Sequence, residues 1–200
     1  MCVNICLNIY MSWKEYVMAF APLAFEVADR YGLPADALLA QSGLETGRGS
    51  NAFGNNFFGI KAGKNWTGAK QLLWTTEYIK GKKTAVQSWF RAYPTPFAGW
   101  NDYGRLVTTA NIYRKAFLSY RHTGDSAQYL YDIAAAGYAT SPIYSKSLIT
   151  SLYTVRKYLP LYRGQRAGFG GLLVLALLGV GGYYLIKKQK ENDKENFENH

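Results

Sequence analysis

The sequence predicts an α+β domain that is mostly helical, with one small β-hairpin lobe, followed by a single transmembrane helix. Apolar residues recur at helical spacing on both sides of one segment that is rich in Thr and aromatic residues. That segment contains a Lys-Gly turn sequence, and a run of uncharged residues follows near the C-terminus. A chain of 200 residues suffices for one such domain and a short appendage.

Two helices are predicted at the start of the domain. The first is Trp13–Tyr31, where apolar side chains recur every three or four residues. Ser12 directly precedes this helix and Glu15 lies in its first turn, which is the spacing of a capping box. The second helix is Pro34–Glu45, because Pro favours the first turn of a helix and a loop rich in Gly and Asn follows Glu45.

The β lobe is predicted as a hairpin, Gln71–Tyr93, because two segments rich in Thr and aromatic residues flank the sequence KGKK. Helical spacing returns afterwards, with Gly and Pro at the boundaries. The further predicted helices are approximately Pro96–Thr109, Asn111–Tyr120, Asp125–Ala136 and Pro142–Leu159.

Composition divides the chain into four parts. They are an N-terminal extension (1–11), a globular domain (12–162), a transmembrane helix with basic flanks (163–188) and a polar tail expected to be disordered (189–200). The extension is apolar but lacks the basic start and the cleavage site of a signal peptide. Met11 is therefore expected to be the functional start.

The predicted membrane span is residues 167–186, which form an uncharged run long enough to cross the hydrocarbon core as a helix. Basic residues flank both ends, so the orientation stays open, and Tyr183 and Tyr184 have the position of an interfacial belt. A buried core helix is the alternative, but the domain is too small to cover it on every side. A lipid bilayer is thus an expected partner.

The net charge of the whole chain is +10, and residues 12–163 contain 18 Lys and Arg against 9 Asp and Glu. This excess indicates a polyanionic partner such as nucleic acid, an anionic membrane surface or a cell-wall polymer. No nucleic acid is expected, because the chain has no RNP-like motif, zinc-finger spacing or basic run. With two cysteines, both in the first ten residues, and two histidines, no metal or cofactor is expected either.

Glu45 has an unusual position for a carboxylate. The second helix places Leu38, Gln41, Ser42 and Glu45 along one stripe, and Leu38 directs that stripe inward. Burial and the negative end of the helix dipole both disfavour the ionised form, so the pKa of Glu45 should rise. A carboxyl that stays protonated near neutral pH suits a general acid. The alternative is an ordinary exposed Glu in a loop.

The segments QSGLETGRGS and NNFFGIKAG resemble the peptidoglycan hydrolases of glycoside hydrolase family 73, which are N-acetylglucosaminidases related to the flagellar muramidase domain and to Gram-positive autolysins. Further matches follow in the family's order: TTEY (75–78), FRAY (90–93), DYGRLV (102–107) and AGYATSPIY (136–144). The resemblance covers roughly residues 13–158. It implies a lysozyme-like fold, with a cleft between the helices and the β lobe.

The resemblance also implies roles for individual residues. Glu45 would be the general acid, and Glu77, in the Thr-x-Glu element, would be the second carboxylate. Asp102 is a rival for that second role, ranked lower because an Asp early in a helix is commonly structural. Tyr138 would lie beside the acid and orient either the acid or the acetamido group of the sugar. Sugar binding would use aromatic faces and amides, with the candidates Gln41, Asn55, Asn56, Phe58 and Trp66.

The predicted function is that of a membrane-anchored peptidoglycan hydrolase, which cleaves the β-1,4 glycosidic bond after N-acetylglucosamine in peptidoglycan glycan strands. Retaining, inverting and substrate-assisted mechanisms all stay open. Two other functions are alternatives: a lytic transglycosylase, and a non-catalytic peptidoglycan-binding module of a membrane complex. The predicted location is the virion membrane of a lipid-containing bacteriophage, where the protein would breach the wall during entry, or otherwise the bacterial cell envelope.

Overall fold

The computed structural model describes the backbone of residues 11–168 and the side chains of residues 11–163. Its helices are α1 (Trp13–Tyr31), α2 (Ala35–Glu45), α3 (Pro96–Thr109), α4 (Arg114–Thr123), α5 (Ser126–Ala135) and α6 (Tyr144–Gly168). Its strands are β1 (Lys70–Ile79) and β2 (Lys82–Arg91), which form a two-stranded antiparallel sheet. The prediction of a mostly helical α+β domain with one hairpin lobe is therefore confirmed.

The α2 helix is the centre of the helical lobe. All seven residues from Ala37 to Gly43 are buried, because α1, α5 and α6 pack against this helix. A helix with apolar and small residues on every side is typical of such an enclosed position. Since α2 ends at Glu45, it carries that residue from the core to the edge of the lobe.

Aromatic packing fixes the loop that follows α2. The Phe58 ring stacks on Tyr103 of α3, with 3.8 Å between ring centroids, and meets Trp100 edge-on at 5.0 Å. All three side chains are fully buried. Buried aromatic pairs of this kind contribute beyond their burial alone, so the loop is held firmly against α3.

The hairpin is tied to the helical lobe at its base. Asp102 of α3 accepts hydrogen bonds from Arg91 (2.6 Å), Tyr93 (2.7 Å) and Arg105 (2.6 Å). At the other end, Lys80 and Gly81 both have positive φ, at 50° and 75°, as a tight type I′ turn requires. The attachment at the base contributes to the orientation of the sheet.

The predicted boundaries of two helices are wrong. The segment predicted as Asn111–Tyr120 begins with a 3₁₀ turn, and α4 starts only at Arg114. The last helix begins at Tyr144 instead of Pro142, because the Tyr144 N–H bonds to the Ser141 carbonyl in a turn that precedes the helix. It also continues beyond the predicted end, to Gly168.

The N-terminal boundary also shifts. Met11, assigned to the extension in the sequence analysis, is buried in the core, and its carbonyl accepts a 2.5 Å hydrogen bond from Arg48 Nε. Met11 thus belongs to the domain. Within residues 11–168, no helix has both the length and the apolar character needed to cross a bilayer. The predicted span 167–186 and the tail 189–200 fall outside the described side chains, and residues 1–10 are not described either.

Gly99 provides a test of the packing between α3 and the loop after α2. A Cβ at Gly99 would lie 2.2 Å from the backbone carbonyl oxygen of Asn55, so a side chain forces the two segments apart. We expect Gly99→Ala to lower the free energy of unfolding by about 1–3 kcal/mol, measured by thermal unfolding. Gly63→Ala is the matched control, because a Cβ there meets nothing within 4 Å. Equal melting temperatures for the two variants would contradict this packing.

Candidate active site

A cleft of about 870 Å³ separates the β lobe from the helical lobe. Its walls come from the end of α2, the loop after α2, strand β1 and the connection between α5 and α6. The residues that border it include Glu45, Asn56, Gly59, Lys61, Trp74, Glu77, Arg91, Tyr113, Tyr138 and Thr140. Two of the predicted catalytic carboxylates, Glu45 and Glu77, thus lie in one cleft.

Glu45 is the last residue of α2 and is half-buried at the cleft. Burial raises its pKa to about 7, although a 2.6 Å hydrogen bond donated by the Tyr144 hydroxyl to Oε1 acts in the opposite direction. The carboxyl also lies at the negative end of the helix dipole, which disfavours the ionised form as well. The raised pKa predicted from the sequence is therefore confirmed, and a large fraction of Glu45 is protonated at neutral pH.

Gly59 borders the cleft beside the second oxygen of Glu45. Its φ is +62°, a conformation that side chains rarely adopt, and a Cβ built there would lie 3.5 Å from Glu45 Oε2. A glycine at this position satisfies the backbone conformation and keeps the space next to the carboxyl free. Oε1 points to Tyr144, whereas Oε2 lies beside Gly59.

Glu77 has the opposite environment. Its carboxylate pairs with Lys61 Nζ at 2.5 Å and accepts a 2.7 Å hydrogen bond from the Thr140 hydroxyl. The hydrogen bond from Lys61 is the main cause that lowers the pKa of Glu77, against the effect of partial burial. Glu77 is thus ionised at the pH where Glu45 is largely protonated, and this divergence is typical of an acid paired with a carboxylate.

Thr140 links the two walls of the cleft. Its hydroxyl oxygen accepts a 3.0 Å hydrogen bond from the Tyr78 N–H of β1, and its hydroxyl proton goes to Glu77. The connection between α5 and α6 therefore holds the edge of the hairpin. The motif AGYATSPIY contains this threonine, but sequence reasoning gave it no role, because nothing local shows that it reaches the hairpin.

The tyrosine that contacts the acid is Tyr144, and this corrects one of the roles considered for Tyr138. The Tyr138 hydroxyl donates to the Phe58 carbonyl at 2.7 Å, so its proton is not directed at Glu45. Its ring is parallel to that of Tyr144, with centroids 6.3 Å apart, and it borders the cleft. Both tyrosines belong to the same sequence motif, and their spacing alone does not identify which one reaches the acid.

Asp102 does not serve as a second carboxylate in the cleft. It is buried at the base of the hairpin among Arg91, Tyr93 and Arg105. Hydrogen bonds from these three side chains hold the pKa of Asp102 below its ordinary value, although burial acts to raise it. Asp102 therefore has a structural role, which is the reason for which it was ranked below Glu77 as the second carboxylate.

Two of the predicted sugar-binding residues are core residues. Gln41 and Phe58 are both fully buried. The Gln41 amide is bonded to Tyr103 through Oε1 and to Tyr144 through Nε2, and Phe58 stacks in the core as described above. Their place in the motif therefore reflects support of the acid and the loop, and the prediction that they contact substrate is wrong.

Three others brace the loop and the hairpin. Asn56 borders the cleft, but its amide nitrogen donates to the carbonyls of Ile60 and Arg91, both at 2.9 Å. Asn55 donates to the Tyr93 carbonyl at 2.9 Å. Trp66 packs under the Arg91 guanidinium at 4.4 Å, away from the lining of the cleft. The contacts of these three residues hold the backbone that forms the cleft. This is a structural role, different from the sugar binding that was predicted for them.

Trp74 is an exposed aromatic residue of the cleft that was not among the predicted sugar-binding residues. It borders the cleft from β1 and is 71% exposed, whereas the selected Trp66 is partly buried. Strand alternation separates the two faces of a hairpin but does not identify which face meets the cleft.

In the part of the chain that the structure describes, no group of three or more His, Cys, Asp or Glu residues could hold a metal ion.

Comparison with known proteins gives the family of this chain. Residues 21–157 match the glucosaminidase family model, which is described as mannosyl-glycoprotein endo-beta-N-acetylglucosaminidase. The chain is 31% identical over 148 residues to peptidoglycan hydrolase FlgJ of Pseudomonas aeruginosa, and 34% identical over 144 residues to FlgJ of Vibrio cholerae. These matches span 70% and 69% of the chain, but only 36% and 42% of the respective relatives.

A solved structure extends the similarity to the fold. The crystal structure of a peptidoglycan hydrolase mutant from Sphingomonas sp. A1 superposes with a TM-score of 0.66 at 31% sequence identity. The match covers 74% of this chain and 99% of that one, and it supports the lysozyme-like α+β fold. Since the family model matches well over half of the sequence, the chain belongs to the glucosaminidase family of glycoside hydrolases, family 73.

Proposed function

We propose that this chain is a peptidoglycan hydrolase that cleaves the β-1,4 glycosidic bond after N-acetylglucosamine. The observation that carries the proposal is the presence of two carboxyl groups in one cleft whose pKa values are moved in opposite directions. Protonated Glu45 is suited to donate its proton to the leaving glycosidic oxygen. Ionised Glu77 is suited to stabilise the positive charge of an oxocarbenium-like transition state, or to act on water.

The names of the relatives support the substrate class, because the FlgJ proteins and the Sphingomonas enzyme are peptidoglycan hydrolases. In the cleft, the exposed ring of Trp74 offers an apolar face for a sugar ring. Tyr138 borders the same space and is our candidate for orienting the acetamido group of the sugar. The excess of basic residues in the domain favours association with an anionic wall.

We further propose that the enzyme acts from a membrane, through the uncharged run 167–186. Support comes from α6, which begins beside the acid at Tyr144 and continues to Gly168, where this run has started. Flotation of the full-length chain with liposomes tests the anchor.

The virion membrane of a lipid-containing phage is the setting that we propose, with the bacterial envelope as the alternative. Mass spectrometry of purified virions and of host membranes distinguishes them.

Product analysis tests the proposed reaction. Digests of purified peptidoglycan should contain new reducing-end N-acetylglucosamine, identified by borohydride reduction and mass spectrometry. Anhydro-muramyl ends would instead identify a lytic transglycosylase. Intact glycan strands that nevertheless retain the protein would identify a non-catalytic binding module.

The first prediction concerns the acid. Glu45→Gln keeps the shape of the side chain but cannot protonate the leaving oxygen, so we expect turnover to fall by about 10²–10⁴-fold with wall binding retained. Glu77→Gln should also lower turnover, because it removes the negative charge that faces the transition state. Asp102→Asn is the structural control: it should lower the melting temperature and change turnover much less. Full turnover in Glu45→Gln would refute the assignment.

The second prediction concerns stability and pH. Folded Glu45 has a pKa of about 7 against an ordinary value of 4.5, so the folded state binds the proton more tightly and its stability falls as pH rises between these values. Glu45→Gln lacks this loss. Relative to wild type, we expect the variant to gain on the order of 1–3 kcal/mol of unfolding free energy at about pH 8, and none at about pH 4.

Glu77→Gln is the control with the opposite sign. The folded pKa of Glu77 is lowered, so its contribution is present above the ordinary value and is lost as pH falls through the folded value. The variant should therefore be less stable than wild type at neutral pH, and the difference should shrink in acid. Denaturant unfolding over this pH range measures both effects. The difference in unfolding free energy between Glu45→Gln and wild type could also stay the same at every pH. That result would show that Glu45 is ionised at neutral pH, against this account.

A further inference from the structure

A chain of hydrogen bonds runs through the core to Glu45. The hydroxyls of Tyr129 and Tyr103 lie 3.2 Å apart, and Tyr103 donates to Gln41 Oε1. Gln41 Nε2 donates to the Tyr144 hydroxyl oxygen at 3.1 Å, and Tyr144 donates to Glu45 Oε1 at 2.6 Å. Tyr129, Tyr103 and Gln41 are fully buried, so these side chains satisfy one another inside the protein.

The amide of Gln41 gives this chain its direction. A glutamine side chain has one acceptor and one donor group, whereas a tyrosine hydroxyl has a single proton to donate. Because Nε2 donates to Tyr144, the proton of Tyr144 is left for Glu45. If the amide were reversed, Tyr144 would donate to Gln41, and neutral Glu45 would donate its own proton inward to Tyr144.

The direction of the chain selects one oxygen of the acid. Oε1 accepts from Tyr144, so the proton of neutral Glu45 resides on Oε2, which lies beside Gly59 in the cleft. We propose that Gln41 is a positioning residue, whose buried amide keeps the proton of Glu45 on the oxygen that faces the cleft. This inference rests on the proposed function, since it assigns Gln41 to the delivery of that proton.

Other titratable groups also act on Glu45. Tyr144 of α6 and Tyr138 of the α5–α6 connection interact with it electrostatically. The remaining charged and titratable side chains that border the cleft are Lys61, Glu77, Arg91 and Tyr113. All of these groups are unchanged in the variants below, so a change in the pKa of Glu45 reports on the chain through Gln41.

Gln41→Met tests the proposal, because it keeps the approximate volume and removes both hydrogen bonds. Tyr144 then loses the amide donor that polarises its hydroxyl, so the hydrogen bond that it donates to ionised Glu45 becomes weaker. We expect the pKa of Glu45 to rise by about half a unit or more. The pKa is measured by carbon-13 NMR of glutamate carboxyls in the full-length chain, with the signal assigned by its loss in Glu45→Gln. The factor by which kcat falls should be larger than the factor by which KM changes.

Tyr103→Phe provides a second route if Gln41→Met does not fold. It leaves the contact between Gln41 and Tyr144 in place but removes the donor that holds Oε1, so a smaller shift in the same direction is expected. Ser42→Ala is the matched control. It removes an equally buried hydrogen bond, from Tyr16 at 2.8 Å, one residue further along α2. Its stability should fall while the pKa of Glu45 stays at the wild-type value.

The proposal is overturned if Gln41→Met and Tyr103→Phe leave the pKa of Glu45 and turnover as in Ser42→Ala, because Gln41 would then be structural only. The NMR titration needs no substrate, so it separates this result from a failure of the proposed function. If the pKa moves as expected in a protein that releases no peptidoglycan fragments, the positioning role holds and the substrate assignment fails.

Discussion

The burial of one carboxyl at the end of the central helix is the constraint on which the site depends. Glu45 has Tyr144 as its hydrogen-bond partner in place of a cation, and burial therefore keeps its pKa near 7. Such a placement costs stability, since the ionised form is disfavoured both by desolvation and by the helix dipole. The enclosure of α2 by three other helices holds the residue in that position nonetheless.

The second carboxylate depends on a different part of the fold. Glu77 lies on a two-stranded hairpin, which has little core of its own and is positioned by contacts with the helical lobe and with the loop after α2. Asp102 attaches its base to α3, and Thr140 attaches its edge to the connection between α5 and α6. The charge of Lys61 then keeps Glu77 ionised. One cleft thus combines an acid supported by the core with a carboxylate supported by surface pairs.

The sequence predicted the parts of this arrangement that local patterns determine. Helical spacing placed Glu45 on the inward stripe of α2, and strand composition located the hairpin that carries Glu77. Depth within the core was not predictable: Gln41 lies one turn before Glu45 on the same stripe, yet it is fully enclosed, because α3 and α6 supply tyrosines distant in sequence. Phe58 was misassigned for the same reason, since its stacking partner Tyr103 is also remote.

The pH dependence of kcat/KM on soluble peptidoglycan fragments tests the central claim, that burial makes Glu45 a protonated general acid, most directly. This parameter reports ionisations of the free enzyme. The account predicts a loss of activity on the alkaline side governed by one group with a pKa of about 7, and this limb should persist in Glu77→Gln. Activity that stays constant from about pH 5 to about pH 9 would contradict the claim, because a general acid with that pKa would by then have lost its proton.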